Sequence, residues 1–511
     1  MKKIRYILLI IFLFLCTLSY TSISWALKTF AFLNFDEIIF QLTTPLQATE
    51  SSILKSYAAG GLLPALILIF FISIIVLTIY HYLKPKTLKV ELKLWKKKKT
   101  FNIKTNYIKV IYTLILIIVP IIIVISGLQK VDLFTYIERN YLNDSVDFFK
   151  ENYVDPQKVN ITFPENKRNL IYIYVESLET SYFDSEHGGI NTENPMSPLE
   201  ELTNEYTNFS NTSGRGGFFS YQGTTYTSAS LVSQTSGVPL KISVDDVDNS
   251  DHKYKTFLPG AYSLNDLLTK EGYNQTFMMG SDKAFGSRDI YFETHGNMNI
   301  FDYNAAIKAN KISKNYHVWW GYEDSKLFEF SKDEALRLAS LNKPFNLTIL
   351  TANTHHPDGF VEDNCSSPFN RNYSNSIYCS CEQIRDYVRW VQQQDFYDNT
   401  TIIIVGDHFT YKVDYLDNNR YNDRTVYNLI INSALDTDNT KNRLFSAMDM
   451  YPTTLAAMGV TIDGDRLGIG TNLYSDKKTY AEKLGKDEFN NILTYSSKFY
   501  LDNLLKTKEG K

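Results

Sequence analysis

Glu176, Asp407 and His408 supply two carboxylates and an imidazole, a donor set suited to Zn²⁺ or Mn²⁺. Asp407 and His408 are adjacent in "VGDHF" and can address one ion, while a catalytic metal keeps a position open for a nucleophile or a substrate oxygen. Two further imidazoles, His355 and His356, stand in "TANTHHPDG", and Arg288 stands in "FGSRDIYFETHG". The nucleophile candidate lies in "GGFFSYQGTTYTSASLVSQTSGVPL", a Gly-, Ser- and Thr-rich stretch that turns apolar at Ala229, Leu231 and Val232. A turn running into a short helix puts Thr227 at the helix start, where backbone N–H groups and the macrodipole favour an alkoxide and a phosphate. A threonine oxygen held on a metal is an activated nucleophile. Thr227 also reads as a plain N-cap, and Thr224, Thr225 and Ser228 compete with it on sequence alone.

These residues need elements to hold them, and the runs before them suit that task. Asn169–Val175 ("NLIYIYV") ends at Glu176, and Thr276–Met279 with its approach precedes Ser281, Asp282 and Arg288. Phe345–Leu350 precedes the two histidines, and Thr400–Val405 precedes Gly406-Asp407-His408. A fifth run is Val426–Ile431. Runs apolar on both faces suit buried parallel strands. Between them lie helical patterns. "SPLEELTNEY" starts with Ser197 as N-cap and Pro198 at the first helical position, while "AYSLNDLLTKEGY" and "SAMDMYPTTLAAMGV" end at Gly272 and Gly459. Alternation of this kind predicts an α/β domain with a mainly parallel sheet, whose ligands bind outside the carboxyl ends of the strands.

Charge and hydropathy divide the chain. Residues 1–127 carry 15 Lys and Arg against 4 Asp and Glu, and the remainder carries 37 against 52. An acidic domain of this size is a poor nucleic-acid binder, so nucleic acid is excluded as a partner. The 36 Tyr and 32 Phe argue against disorder, and four cysteines are too few for a disulfide scaffold. Three apolar stretches predict spans at about 6–26, 62–83 and 110–128. The first also resembles a signal peptide, with Ser24-Trp25-Ala26 as a small-x-small site, and a retained anchor is the favoured reading. The loop 84–109 holds ten Lys and one Glu, which places it in the cytoplasm and everything after Leu128 outside. "NFDEIIFQL", between the first two spans, reads as an amphipathic interfacial element. The expected organisation is a transmembrane region 1–128, a linker with a helix at 129–165, a catalytic domain 166–480 and a helical tail 481–511. In an oxidising compartment, Cys365 is expected to pair with Cys379 or Cys381.

The order of "NLIYIYVESLE", "NPMSPLEELTNEYTNFSN", "GTTYTSASLVSQTSGVPL", "TANTHHPDG", "VGDHF" and "MDMYPTTLAAMGV" resembles the alkaline-phosphatase/sulfatase superfamily. More closely it is similar to the membrane-bound phosphoglycerol transferases, which include the periplasmic-glucan (membrane-derived oligosaccharide) enzymes and lipoteichoic acid synthase. The resemblance spans about residues 165–475, with "FDEIIFQLTTPL" similar as well. It implies an alkaline-phosphatase-like fold and one divalent metal, Mn or Zn, held by Glu176, Thr227, Asp407 and His408. It implies Thr227 as nucleophile, His355 as a catalytic contact to the transferred group, and Arg288 and His356 beside the substrate. The synthase has a tryptophan two residues before its arginine, where this chain has Gly286. The sulfatase C/S-x-P-x-R signature does not occur around Thr227. The implied reaction moves glycerophosphate from phosphatidylglycerol to an external glycan, on the outer side of a cytoplasmic (inner) membrane crossed several times. Phosphoethanolamine transfer, metal-dependent hydrolysis and a non-catalytic scaffold are the alternatives.

Overall fold

The computed structural model describes residues 2–30, 35–43, 51–82, 87–94, 97–142, 147–241, 256–412, 414–416 and 418–505. The chain forms two compact units, Met1–Phe35 with Glu50–Ile137, and Asp36–Thr49 with Glu138–Lys511. Relative to the divisions expected from sequence, the short segment after Phe35, the stretch 138–165 and the C-terminal 481–511 all belong to the second unit.

In the first unit, α1 spans Lys2–Thr29, and a second helical run covers Ser51–Tyr82. A third long helix covers Thr105–Lys130, with Pro120 inside it. All three are long and apolar enough to cross a membrane. Ser24-Trp25-Ala26 lies within α1, where the Trp25 indole N–H donates to Ser56 Oγ at 3.0 Å. The lysine-rich segment between the second and third long helices contains a hairpin, with β1 (Thr87–Leu94) antiparallel to β2 (Lys97–Lys104).

The second unit is built on a seven-stranded sheet. Its strands are β3 (Asn169–Val175), β4 (Gly217–Phe218), β5 (Asn274–Met279), β6 (Asn299–Phe301), β7 (Phe345–Leu350), β8 (Thr400–Gly406) and β9 (Val426–Ile431), in spatial order β4-β9-β8-β3-β7-β5-β6. From β8 to β6 every pairing is parallel. β9 runs antiparallel to both β8 and β4, against the expectation of a parallel strand. β9 is buried along its whole length like the parallel strands β3, β7 and β8, so its apolar run reads the same whichever way the strand points. The two-residue β4 and three-residue β6 are too short to leave a period-2 pattern.

Side-chain alternation divides the sheet's two faces. Ile171, Ile173, Val175, Ile402, Ile404, Leu347 and Ile349 belong to one core with the helices Asp324–Ala339 and Asn372–Val391. On the other face, Tyr172 donates to Gln234 in the helix Thr227–Ser236 at 2.7 Å. The helix Leu264–Lys270 carries a capping box between Ser263 and Asp266, and Gly272 follows it at φ +82°. Ser197 departs from its expected role. It opens a 3₁₀ turn, Ser197–Leu199, that leads into the helix Glu200–Glu205 without a side-chain cap. Both termini of this unit are tied together by Asp147, which caps Phe148–Asn152 and accepts from Ser497 Oγ and Phe499 N.

Candidate active site

Parallel strands all point their carboxyl ends one way, so the residues after β3, β7 and β8 meet at one edge. Glu176 directly follows β3, and its N–H donates to Thr351 Oγ1 at 3.1 Å while its carbonyl accepts from Thr354 Oγ1. Ser177 takes a left-handed conformation at φ +53°, sends its hydroxyl to Glu176 Oε1 at 2.8 Å and its N–H to Asp407 Oδ1 at 2.7 Å. Gly406 sets the approach, since a Cβ there would lie 1.9 Å from the Leu178 carbonyl oxygen. The chain thus turns from β8 so that Asp407 and His408 face Glu176.

Donor atoms of Glu176, Asp407 and His408 lie within 4.8 Å of one another, and all three residues are buried. His408 Nε2 is 3.3 Å from Asp407 Oδ2 and 3.6 Å from Glu176 Oε1. Its Nδ1 lies 2.7 Å from the Phe409 carbonyl, the bond that orients a ligating imidazole and leaves Nε2 directed at the cluster. Thr227 opens its helix and brings its Oγ1 to 3.4 Å from Glu176 Oε2 and 3.3 Å from His408 Nε2. The three competitors on sequence are engaged elsewhere. Thr224 closes a turn with Tyr221, Thr225 donates to Glu37, and Ser228 donates to the Gly286 carbonyl at 2.9 Å.

Electrostatics make this cluster hungry for positive charge. Burial and the neighbouring Glu176 push Asp407 up to about 7, and Asp407 and Glu176 raise His408 against its burial. The charges of His355 and His408 bring Glu176 below the usual carboxylate range although burial opposes them. Asp407 Oδ2 is buried and receives no hydrogen bond among the described residues. An orphaned carboxylate oxygen, a second carboxylate, an imidazole nitrogen and a hydroxyl converging on one point are a set that fits a divalent cation.

The remaining expected residues surround this point. His355 Nδ1 lies 2.7 Å from the His356 carbonyl, and burial lowers its pKa against the pull of Glu176. His356 is 4% exposed, its ring between those of His355 (4.6 Å) and Tyr411 (5.5 Å). Arg288 is 5% exposed and is held by the Phe285 and Asp282 carbonyls and Ser281 Oγ at 2.8, 2.9 and 3.0 Å. Burial lowers Arg288 to about 10, which leaves it charged at neutral pH. The Ser228–Gly286 bond ties its loop to the start of the helix Thr227–Ser236. Cys365 is disulfide-bonded to Cys379, with Cα atoms 5.4 Å apart, and Cys381 is free and buried.

Sequence reasoning missed three residues here. Trp320 sets its ring 4.5 Å from His355 and 5.0 Å from Phe285, placing an indole near Gly286 from a different part of the chain. Asp324, fully buried, accepts from the Ala352 and Asn353 N–H groups at 2.9 Å each and so holds the loop that carries His355. Glu37 reaches the turn before Thr227. Trp320 and Asp324 stand near no motif, while Glu37 lies in "FDEIIFQLTTPL", a segment covered by the resemblance that offered only two acids in an apolar stretch and no role for either.

Phosphoglycerol transferase I of Salmonella choleraesuis is 29% identical over 281 residues, 54% of this chain and 35% of that protein. The Escherichia coli protein of the same name is 29% identical over 282 residues, with the same coverage. The matched region thus spans about a third of the length of these relatives. The lipooligosaccharide phosphoethanolamine transferase A of Neisseria meningitidis shares the fold at TM-score 0.50 and 13% identity, covering 88% of this chain and 83% of that one. The sulfatase family model matches residues 168–460, the stretch that holds the sheet and the Glu176, Asp407 and His408 cluster. The chain carries an alkaline-phosphatase-like domain alongside helices apolar enough for a membrane, and it belongs to the sulfatase family.

Proposed function

We propose that this protein is a membrane-anchored phosphoglycerol transferase that moves glycerophosphate from phosphatidylglycerol to a hydroxyl of an extracytoplasmic glycan. The observation that carries the reading is the Thr227 hydroxyl, set 3.4 Å from Glu176 and 3.3 Å from His408 at the start of a helix. The name of the curated relatives supports the transferred group.

In the first half-reaction, Thr227 Oγ bonds to the donor phosphorus and the bond to the diacylglycerol oxygen breaks. The Thr227 proton has Glu176 Oε2 as its acceptor, and the imidazolium form of His355 gives its Nε2 proton to the departing alkoxide, which leaves the ring neutral with its remaining proton on Nδ1 beside the His356 carbonyl. In the second half, the acceptor hydroxyl bonds to phosphorus, its proton passes to His355, and Thr227 recovers its own proton from Glu176 as the Thr–phosphorus bond breaks. Arg288 offers a fixed positive charge to the phosphate, and the helix start of Thr227 adds backbone N–H groups. Glu176, Thr227, Asp407 and His408 would hold one Mn or Zn ion, which supplies the Lewis acidity that acidifies a hydroxyl and offsets charge on phosphorus.

The lysine-rich segment 84–109 supports a multi-pass arrangement in the cytoplasmic membrane with the catalytic unit outside. Reporters fused after Lys99 and after Asp132 should read cytoplasmic and external respectively, and the reverse pattern would remove an external glycan from reach. The chemical test is mass spectrometry of the full-length protein given phosphatidylglycerol and no acceptor. A Thr227 peptide heavier by one glycerophosphoryl group is expected. An adduct on another residue overturns the nucleophile. A phosphoethanolamine adduct, formed only from phosphatidylethanolamine, overturns the donor, and rapid loss of the adduct to water makes the protein a hydrolase.

A further inference from the structure

The helix α2, Phe35–Thr43, follows α1 by a few residues in sequence, yet its residues from Asp36 onward cluster with the catalytic unit. An interfacial amphipathic helix would turn its acids to water. This one does the opposite. Glu37 is 4% exposed, and Ile39 and Phe40 are buried with it.

Three contacts of α2 fall on the segment 222–226. Gln222 Nε2 donates to Asp36 Oδ2 at 2.5 Å, the Thr225 hydroxyl donates to Glu37 Oε1, and the Phe40 ring meets the Tyr226 ring at 4.8 Å. Residues 222, 225 and 226 immediately precede Thr227. Tyr411, whose ring lies 5.3 Å from His408, closes the same turn from the other side by donating to the Thr225 carbonyl at 3.0 Å. A buried carboxylate is costly unless hydrogen bonds compensate it. Here an oxygen of that carboxylate accepts from the hydroxyl of Thr225, two residues before the next helix begins.

We infer that Glu37 is a positioning residue of the transfer site, which through Thr225 fixes the turn 221–226 and so aims Thr227 Oγ at Glu176 and His408. The inference rests on Thr227 being the nucleophile. It assigns to a segment outside the sulfatase-family region a part in the chemistry of that region. No new group touches the substrate. Glu37 acts through geometry alone, and its loss misplaces an oxygen that must stand in line with phosphorus.

The test uses the full-length protein in mixed micelles of phosphatidylglycerol and detergent, with single-turnover formation of the Thr227 adduct as the readout. Glu37→Ala and Thr225→Val should each slow adduct formation by about 10- to 100-fold, with the apparent donor KM within about 2-fold of wild type. Glu37→Gln and Thr225→Ser, which keep an acceptor and a hydroxyl, should recover most of the rate. Glu37→Ala/Thr225→Val should be no slower than the slower single variant, because both act through one contact. Thr225→Val preserves shape and carries the test if Glu37→Ala fails to fold. Wild-type rates in both single variants, a loss confined to KM, or losses that multiply in the double variant would each overturn the inference. Failure of the nucleophile assignment shows separately, as a wild-type adduct mapped away from Thr227.

Discussion

The two units spend the same residue types in opposite ways. In the Ser51–Tyr82 run, Ile67, Phe70, Phe71, Ile74 and Ile75 are each about half exposed or more. In β3 and β8, Ile171, Ile173, Ile402 and Ile404 are wholly buried. Composition does not distinguish these segments, but length does. A helix of about 20 apolar residues rises roughly 30 Å, the thickness of a bilayer core, whereas a strand of six or seven residues only crosses a sheet. Polar residues divide as sharply. The centres of the long helices are free of charge, while the catalytic unit buries Glu176, Asp407 and His408 at strand ends and Arg288 at a helix start. An apolar run thus names its solvent by its length, and the polar residues after the buried strands gather at the candidate site.

The contrast is broken most severely at the catalytic end. Thr227→Ala should reduce transfer by several orders of magnitude, since no other hydroxyl in its turn faces the cluster, yet Tyr226 is the N-cap and Thr227 makes no cap bond, so the lost hydroxyl should cost no more than about 1 kcal/mol. Turnover and a thermal melt on the same preparation check this, and a large loss of stability would make the residue structural. Asp407→Asn should remove bound Mn or Zn, as read by elemental analysis of the dialysed protein, and turnover should vanish with the metal. His355→Gln should cost about 10²–10⁴ in turnover. Burial holds His355 below the ordinary imidazole range, so it is neutral at pH 7 and able to take the acceptor's proton. Transfer to acceptor from the preformed Thr227 adduct should therefore stay level down to about pH 6.5 and fall only at lower pH as the imidazole is protonated. That acidic limb should disappear from the residual activity of His355→Gln.

The apolar runs allow a paired comparison of intermediate size. Ile173→Ala in β3 opens a cavity in a closed core and should cost about 2–5 kcal/mol, read by denaturant unfolding of the catalytic unit within the full chain. Ile118 in the third long helix is about half exposed, so Ile118→Ala should cost far less there. Ile118→Lys should instead oppose membrane insertion by about 2.5–3.5 kcal/mol, measured as the membrane-integrated fraction. If Ile118→Ala destabilises as much as Ile173→Ala, that helix is a protein core rather than a span. The smallest effect is a local one. Cys365→Ser opens a loop closed over 14 residues and should cost at most about 3 kcal/mol, with the metal site intact.

Much of the site could be read along the chain because parallel strands enforce a common end. Once Asn169–Val175, Phe345–Leu350 and Thr400–Val405 read as buried strands, Glu176, the two histidines and Asp407-His408 had to emerge at one edge. The antiparallel β9 escaped because direction is set by a connection and not by composition. Ser197 failed as a cap because the chain enters that helix through a 3₁₀ turn. Trp320 and Asp324 were invisible for a different reason. Each meets the His355 loop across roughly 30 residues, and local pattern does not encode such meetings.

Residue pattern alone therefore determined the α/β class, the long apolar helices and the gathering of carboxylates and imidazoles at one sheet edge, since periodicity, run length and strand polarity are local quantities. Only the tertiary structure decided which of Thr224, Thr225, Thr227 and Ser228 turns its hydroxyl to the cluster, and that "DEIIF" packs with the second unit. A hydroxyl's direction is set by the partners that its neighbours find. For this turn those partners are Glu37, Gly286 and Tyr411, brought in from positions about 60 to 190 residues away.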